Sequence, residues 1–476
     1  MGILSLEETP ILQALIRLSQ KNRQPLHVPG HHLGRDLPPL FADWLGPAAR
    51  LDMTELPGLD NLHHATECIA ESEQLAATHY GSGRCFFSVN GSSACIMASI
   101  YAVVRPGRQK VVLVGPFHWS VWRGVEMAGA TPLVFPSRFD RESLLALHPP
   151  VDSVRVALAG YTDIAAVVIT SPVYAGIVAP VADWVQLAHE FDCPLIVDEA
   201  HGPHFGLCSS LPPHSVSHGA DLVVQSVHKT LPALGQTAWL HVSGRRVEEE
   251  AVEDALLRFT TTSPSYLLLA SLDVAQAWLR TEGAVIASRA VATLGLFDEM
   301  HGLSHDAERM DGLRRWWPIG NAAAALHLER LLEAEGIFVE YVDPSGALFL
   351  FPYSVRVREL ERLGAVLDVW RQANDQRDAK LLDALRFVSE RHVDLVVGKP
   401  AALTHTKRRW CRARQAMGQL AARVVVPYPP GVPILLPGER IEPGHVEALI
   451  CLAELDRIPV GSRVGQAGLE LSILAD

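Results

Sequence analysis

No stretch of this 476-residue chain stays apolar for the roughly 18 residues that a bilayer-spanning helix needs, so no transmembrane segment is expected. The first residues, MGILSLEETPILQAL, carry acids where a secretory signal carries bases, and Gln13 and Arg17 interrupt the apolar positions. No signal peptide is expected. Excess positive charge is missing too: the net charge is −12, which argues against a nucleic-acid or membrane-surface partner. It would suit a cationic substrate only weakly, since acidic surfaces usually serve solubility. The seven cysteines are odd in number and lie mostly within apolar runs, so reduced thiols and a cytoplasmic location are expected. There is no internal repeat, low-complexity linker or disordered block. With 48% hydrophobic and 20% charged residues the composition is that of a globular protein, too long for one core and expected to form two or three domains.

What is present centres on LVVQSVHKTLPALGQ, residues 222–236. Leu222, Val223 and Val224 read as a buried strand that empties into Gln225, Ser226, Val227, His228 and Lys229 before Pro232 ends regular structure. A lysine at the mouth of a buried strand either escapes to solvent or is desolvated, and desolvation makes its amine nucleophilic enough for a Schiff base. Upstream, PLIVDEAHG ends a second apolar run in Asp198, 31 residues before Lys229. That spacing is about one strand-to-strand unit of an α/β sheet. Adjacent strands would present both groups at their carboxyl ends, where such sheets bind ligands. Pyridoxal phosphate needs this pair, an amine for its aldehyde and an acid that keeps its ring nitrogen protonated.

The pieces VDEAHGPHF and SVHKTLPALGQTAWLHV resemble the bacterial ornithine/lysine/arginine decarboxylase family of fold type I pyridoxal phosphate enzymes, in its short form without an N-terminal receiver-like domain. Further blocks extend the resemblance over nearly the whole chain. These are HVPGHHLGR, TELPGLDNLHHAT, RFTTTSPSYLLLASLDVAQAWL and VVVPYPPGVPILLPGERI.

The resemblance implies an α/β fold: an aspartate aminotransferase-like large domain with a mostly parallel seven-stranded sheet, plus small α+β C-terminal domains. Strand-like runs near residues 85, 111, 132, 166, 195, 222 and 238, alternating with helical segments until the last pair, agree. The expected division is 1–30 as an N-terminal arm, 31–290 as the large domain, 291–390 as a small domain and 391–476 as the family's C-terminal domain. Residues 6–20 read as a helix, and GIFVEYVDPSGALFLFPYS as a two-stranded hairpin. The prolines of residues 424–441 preclude a helix.

Site roles follow from the same blocks. Gly91, Ser92 and Ser93 open a helix after the strand RCFFSVN, where hydroxyls and backbone N–H groups either cap the helix or cradle a phosphate. By resemblance Ser226 also contacts phosphate, and Ser263 borders it from the neighbouring subunit. Thr262 and Ser263 before Pro264 would also cap the next helix. His118 would stack on one face of the cofactor ring and Ala200 on the other; His201 would lie near the ring hydroxyl and His228 beside the substrate. The implied activity is decarboxylation of arginine, lysine or ornithine to its amine through a Lys229 Schiff base, in a homodimer or larger assembly with the site at the subunit interface. An aminotransferase, another α-carbon lyase or a non-catalytic cofactor binder are the rivals. Metal binding through His31 and His32, or His201, His204 and Cys208, ranks below the cofactor on spacing. Asp52, Glu55 and Asp60 read mostly as solvated loop acids. His32, Ile96, Trp119 and Val227 depart from the family pattern; Pro116-Phe117 and Trp119 give the pocket wall at His118 a different shape and less positive charge, and Val227 removes one hydroxyl contact.

Overall fold

The computed structural model describes residues 4–21, 24–303, 306–374, 376–391, 393, 400–403, 406–454, 457–466 and 468–475. The chain divides into two compact units, one of Met1–Val103, Ile196–Ser209 and Pro213–Ile286, the other of Val104–Leu195, Ser210–Pro212 and Ala287–Asp476. All seven expected strands form: β1 (Arg84–Ser88), β2 (Lys110–Val114), β3 (Thr131–Phe135), then, after a hairpin of β4 (Arg138–Asp140) and β5 (Leu145–Leu147), β6 (Ile164–Thr170), β7 (Leu195–Asp198), β8 (Leu222–Gln225) and β9 (Ala238–Val242). Strand order runs β1-β9-β8-β7 in the first unit and β6-β2-β3 in the second.

In the first unit β7 and β8 are parallel, with Asp198 opposite Val224. Every residue of both is buried, and the apolar runs before Asp198 and Gln225 are what strands covered on both faces require. β9 runs antiparallel to β8 and to β1, because only the short helix Val227–Thr230 separates β8 from β9 and no crossover is possible. The helix Gly91–Val103 follows β1, and Cys95 and Ile96 point into its core.

The N-terminal helix spans Pro10–Ser19, with Leu6–Glu8 as a separate 3-10 turn, and buries Ile11, Leu15 and Leu18. Asp60 departs from the solvated reading of the loop acids. It is 4% exposed and accepts backbone N–H groups of Thr66, Glu67, Ile69 and Ala70, filling the orphan donors that open the helix Cys68–Tyr80. The helix Tyr266–Trp278 starts after Ser265, so Thr262 and Ser263 do not cap it. They lie too early in the chain, in a turn where the Ser263 N–H donates to Thr261 Oγ1 at 3.1 Å.

In the second unit β2 pairs in parallel with both β3 and β6. The expected hairpin forms as β11 (Tyr341–Val342) and β12 (Gly346–Leu350), and β10 (Arg314–Pro318) adds a third strand. This sheet and the helices Ala322–Ala334 and Val357–Ala373 share a core that includes Phe297, Leu328, Leu360 and Trp370. A last antiparallel sheet joins β13 (Arg408–Arg412), β14 (Ser462–Gly465) and β15 (Gly468–Leu474). Residues 424–441 form no helix and contribute the isolated Val425–Leu435 bridge. Among the described residues no helix is long and apolar enough to cross a membrane.

Candidate active site

In the first unit the carboxyl ends of β7 and β8 bring Asp198 and Lys229 together. Asp198 is the last residue of β7 and 4% exposed; burial pushes its carboxyl above the ordinary range, opposed by the Lys229 charge and by the Ala200 N–H at 3.1 Å. Lys229 sits on the short helix that follows β8, and its Nζ lies 3.0 Å from His201 Nε2. An amine, an imidazole and a buried acid therefore share one crevice at a sheet end.

His228, one residue earlier, places Nδ1 2.9 Å from the Thr237 carbonyl. That contact makes Nδ1–H the donor and leaves Nε2 as an acceptor. Burial lowers the pKa of this imidazole, the Thr237 carbonyl opposes that, and the Lys229 charge adds to it, so the ring is neutral at pH 7. Val227, where the family has threonine, is fully buried.

The expected phosphate residues also converge. Ser226 Oγ donates to Ser92 Oγ at 2.6 Å, joining the end of β8 to the first turn of the 13-residue helix that Gly91 opens. Ser93 is exposed beside them. The Thr261 N–H donates to Asn90 Oδ1 at 3.1 Å, which brings the segment containing Ser263 to the helix mouth of its own chain, whereas the resemblance implied the neighbouring subunit's. Hydroxyls at the positive end of a helix form an anion site.

Sequence reasoning missed Glu199. It is 1% exposed, and its Oε1 accepts the Ser215 N–H at 2.8 Å and Oγ–H at 2.5 Å while Oε2 accepts Gln225 Nε2 at 2.7 Å. Gly202 fits the turn beyond it because a Cβ there would lie 2.7 Å from Glu199 Cγ. The alternation of β7, which sends neighbouring side chains to opposite faces, is the signal that could have found it.

His118 belongs to the second unit and precedes the helix Trp119–Met127. Its Nδ1 accepts the Ser120 N–H at 3.2 Å and lies 2.8 Å from Ser120 Oγ. The Trp119 N–H donates to the Gly431 carbonyl at 2.9 Å, so the YPPG turn is seated on this histidine. Pro116, Phe117, Pro430 and Val432, which flank both, line an apolar cavity of about 220 Å³. Arg123 stacks its guanidinium 3.7 Å from the Trp119 ring centroid, returning a positive charge to the position where the family's lysine is replaced.

The adjacent histidines considered for metal have other partners. His31 Nε2 lies 3.0 Å from Asp52, and His32 Nδ1 2.5 Å from Asp36. Among the described residues no group of three or more His, Cys, Asp or Glu side chains is arranged to hold a metal ion.

Known proteins are similar to this chain over most of its length. The Orn/Lys/Arg decarboxylase major domain matches residues 9–305 and the Orn/Lys/Arg decarboxylase C-terminal domain residues 400–458. A Bacillus subtilis protein described as uncharacterized protein YaaO is 32% identical over 455 residues, covering 93% of each chain. An arginine decarboxylase of the same organism is 30% identical over 454 residues, covering 92% of each. Among solved structures the Escherichia coli constitutive lysine decarboxylase aligns with a TM-score of 0.81 at 20% identity, covering 98% of this chain and 82% of that one, which establishes the fold.

Proposed function

The chain belongs to the Orn/Lys/Arg decarboxylase family, a family of pyridoxal phosphate enzymes, and from that premise we propose that it decarboxylates a basic amino acid, arginine foremost, with Lys229 and Asp198 at its centre. The observation that carries the assignment of residues is the meeting of a lysine and a buried, charge-coupled acid at the ends of two adjacent parallel strands. The arginine decarboxylases, 30% identical over most of both chains, support arginine as the first substrate to try, with lysine and ornithine next.

The donor set fits the cofactor. Lys229 supplies the amine that holds its aldehyde, Asp198 the acid for its ring nitrogen, and Ser92 and Ser226 the hydroxyls for its phosphate, with Gly91, Ser93 and Ser263 bordering that end. Ala200 covers one face of the ring, and His201 sits by the ring hydroxyl. When bound, pyridoxal phosphate supplies an electron-accepting ring for the pair released as carbon dioxide leaves.

The protein's own part is orientation and proton traffic. Asp198 keeps a proton at the ring nitrogen, which a buried carboxylate near a cation can do only while it stays ionised. Burial behind β7 and β8 excludes water and strengthens each of these contacts. Lys229 would return a proton at the α-carbon, and His228, with Nδ1 tied to the Thr237 carbonyl, keeps Nε2 as an acceptor for the same proton traffic.

The odd count of seven cysteines, most of them within apolar runs, supports a reducing cytoplasm. The exposed Leu26 and Val28 of the N-terminal arm, with Leu40, Phe41 and Trp44 just after it, support a homodimer through this part of the chain. A monomer by analytical ultracentrifugation that is fully active would remove the dimer from this reading.

The test is direct. The purified protein, given pyridoxal phosphate, should release carbon dioxide from at least one of arginine, lysine and ornithine and yield agmatine, cadaverine or putrescine; borohydride should fix the cofactor on Lys229. Lys229→Ala should abolish both. Formation of a keto acid in place of carbon dioxide would assign an aminotransferase instead.

A further inference from the structure

Asp198 and Glu199 are neighbours at the end of β7, so their side chains leave the strand on opposite faces. Asp198 turns to Lys229, whereas Glu199 turns to a buried polar chain that plays no part in the chemistry above. Its links are Glu199, Gln225, His241 and Ser82. Gln225 Nε2 donates to Glu199, Gln225 Oε1 lies 3.1 Å from His241 Nε2, and His241 Nδ1 lies 3.1 Å from Ser82 Oγ. Ser215 closes the other side of the Glu199 carboxyl. Glu199, Ser215, Gln225 and His241 are each at most 1% exposed.

Burying a carboxyl in this way is costly, and burial pushes Glu199 up to about 7 against the pull of its hydrogen-bond donors. An apolar pair of the same volume would stabilise the strands as well or better. What the polar bridge adds is a single register. The Glu199 N–H already donates to the Val224 carbonyl at 2.9 Å, one step beyond the ladder that pairs Asp198 with Val224. The side-chain bridge to Gln225 locks that last step. Asp198 is the residue before one end of the bridge, and Ser226 is the residue after the other.

We propose that Glu199 is a positioning residue of the decarboxylase site: its carboxyl, joined to Gln225 and Ser215, fixes Asp198 on β7 against Ser226, His228 and Lys229 on the turn after β8. This rests on the assignment of Asp198 and Lys229 given above. A displacement of about 1 Å at such a link costs up to a hundredfold in rate, because the acid no longer meets the ring nitrogen that Lys229 presents.

Glu199→Gln preserves the bridge. Its oxygen accepts from Ser215, its amide donates to a flipped Gln225, and His241 takes the other tautomer toward Ser82. Glu199→Leu keeps the volume and removes the bridge. The holoenzymes of both should be compared with wild type for kcat, KM and the pH midpoint of the bound cofactor's visible absorption, and their apoproteins for cofactor Kd.

Glu199→Leu is expected to lower kcat roughly ten- to a hundredfold with KM changed little, to weaken cofactor binding, and to move the midpoint by about half a unit or more. Glu199→Gln should restore all of these. Wild-type kcat and midpoint in Glu199→Leu would overturn the proposal, as would a Glu199→Gln variant equally impaired. If Glu199→Leu fails to fold, Gln225→Leu breaks the same bridge from β8 and must give the same pattern. Failure of wild-type protein to be labelled at Lys229 would instead overturn the site assignment itself.

Discussion

Gly431 is seated on His118: a Cβ built on Gly431 would lie 2.5 Å from the imidazole Cδ2, and its backbone has φ of +85°. The YPPG turn and the residue that precedes the helix Trp119–Met127, far apart in sequence, thus form one contact. Gly431→Ala places a side chain in the left-handed region at a cost of about 1–2 kcal/mol and forces the imidazole aside. The expected result is a lower Tm and weaker cofactor binding by fluorescence titration. His118→Ala should weaken binding without the strain, and the double variant should bind no more weakly than the worse single one. Full additivity of the two binding losses would show that Gly431 does not act through His118.

The Ser226–Ser92 contact makes a second prediction, because each hydroxyl is assigned to phosphate. Ser92→Ala and Ser226→Ala should each weaken pyridoxal phosphate binding by about 1.5–3 kcal/mol, the value of a hydrogen bond to a charged group. Neither should weaken pyridoxal, which lacks the phosphate. Equal losses for the two vitamers in an equilibrium binding measurement would place the phosphate elsewhere.

The large sheet was legible in the sequence because a strand buried on both faces is an unbroken apolar run. Lys229 and Asp198 were legible because each is a charge at the end of such a run. Contacts made across the fold leave no such trace. Glu199 looks like one more charge in DEAH, and nothing in its neighbourhood announces Gln225 or Ser215. β10 was missed for a related reason: Arg314 and Arg315 open it and read as surface, yet both are buried. β13, RRWCR, hid behind its arginines in the same way. Asp60 was misjudged because the amides it caps are drawn in by a turn, and the loop's composition is that of a solvated one.

Glu73 sets a pH dependence of stability whose sign can be worked out. It is 3% exposed, accepts the Phe87 N–H at 2.9 Å, and burial pushes its carboxyl up to about 8, opposed by that N–H and by Arg84. Unfolded, it titrates near 4.5. Between these values the folded state holds a proton that the unfolded chain has lost, so this group's contribution falls as pH rises through that window. Glu73→Gln keeps the acceptor and cannot titrate. The stability of the variant relative to wild type, from urea unfolding at pH 5 and pH 8, should therefore be greater at pH 8; an equal difference at both would contradict the buried, protonated acid.

Arg315 and Asp298 tie β10 to the helix Ala284–His301 through a two-pronged ion pair, with Nε and Nη2 at 2.5 and 2.6 Å from the two carboxylate oxygens. Arg315 is 4% exposed and also donates to the carbonyls of Gly312 and Arg314. Taking away the carboxylate leaves a guanidinium in an apolar setting with too few acceptors. Asp298→Ala should then cost about 3–5 kcal/mol of unfolding free energy, the usual penalty for orphaning a buried charge. Removing both charges is a different matter, since an apolar side chain can fill the space and nothing remains to be solvated. Asp298→Ala combined with Arg315→Met should recover most of the loss. If the double variant is as unstable as Asp298→Ala, the pair holds β10 by its geometry as well as by its charge balance, and denaturant unfolding of the three proteins separates these outcomes.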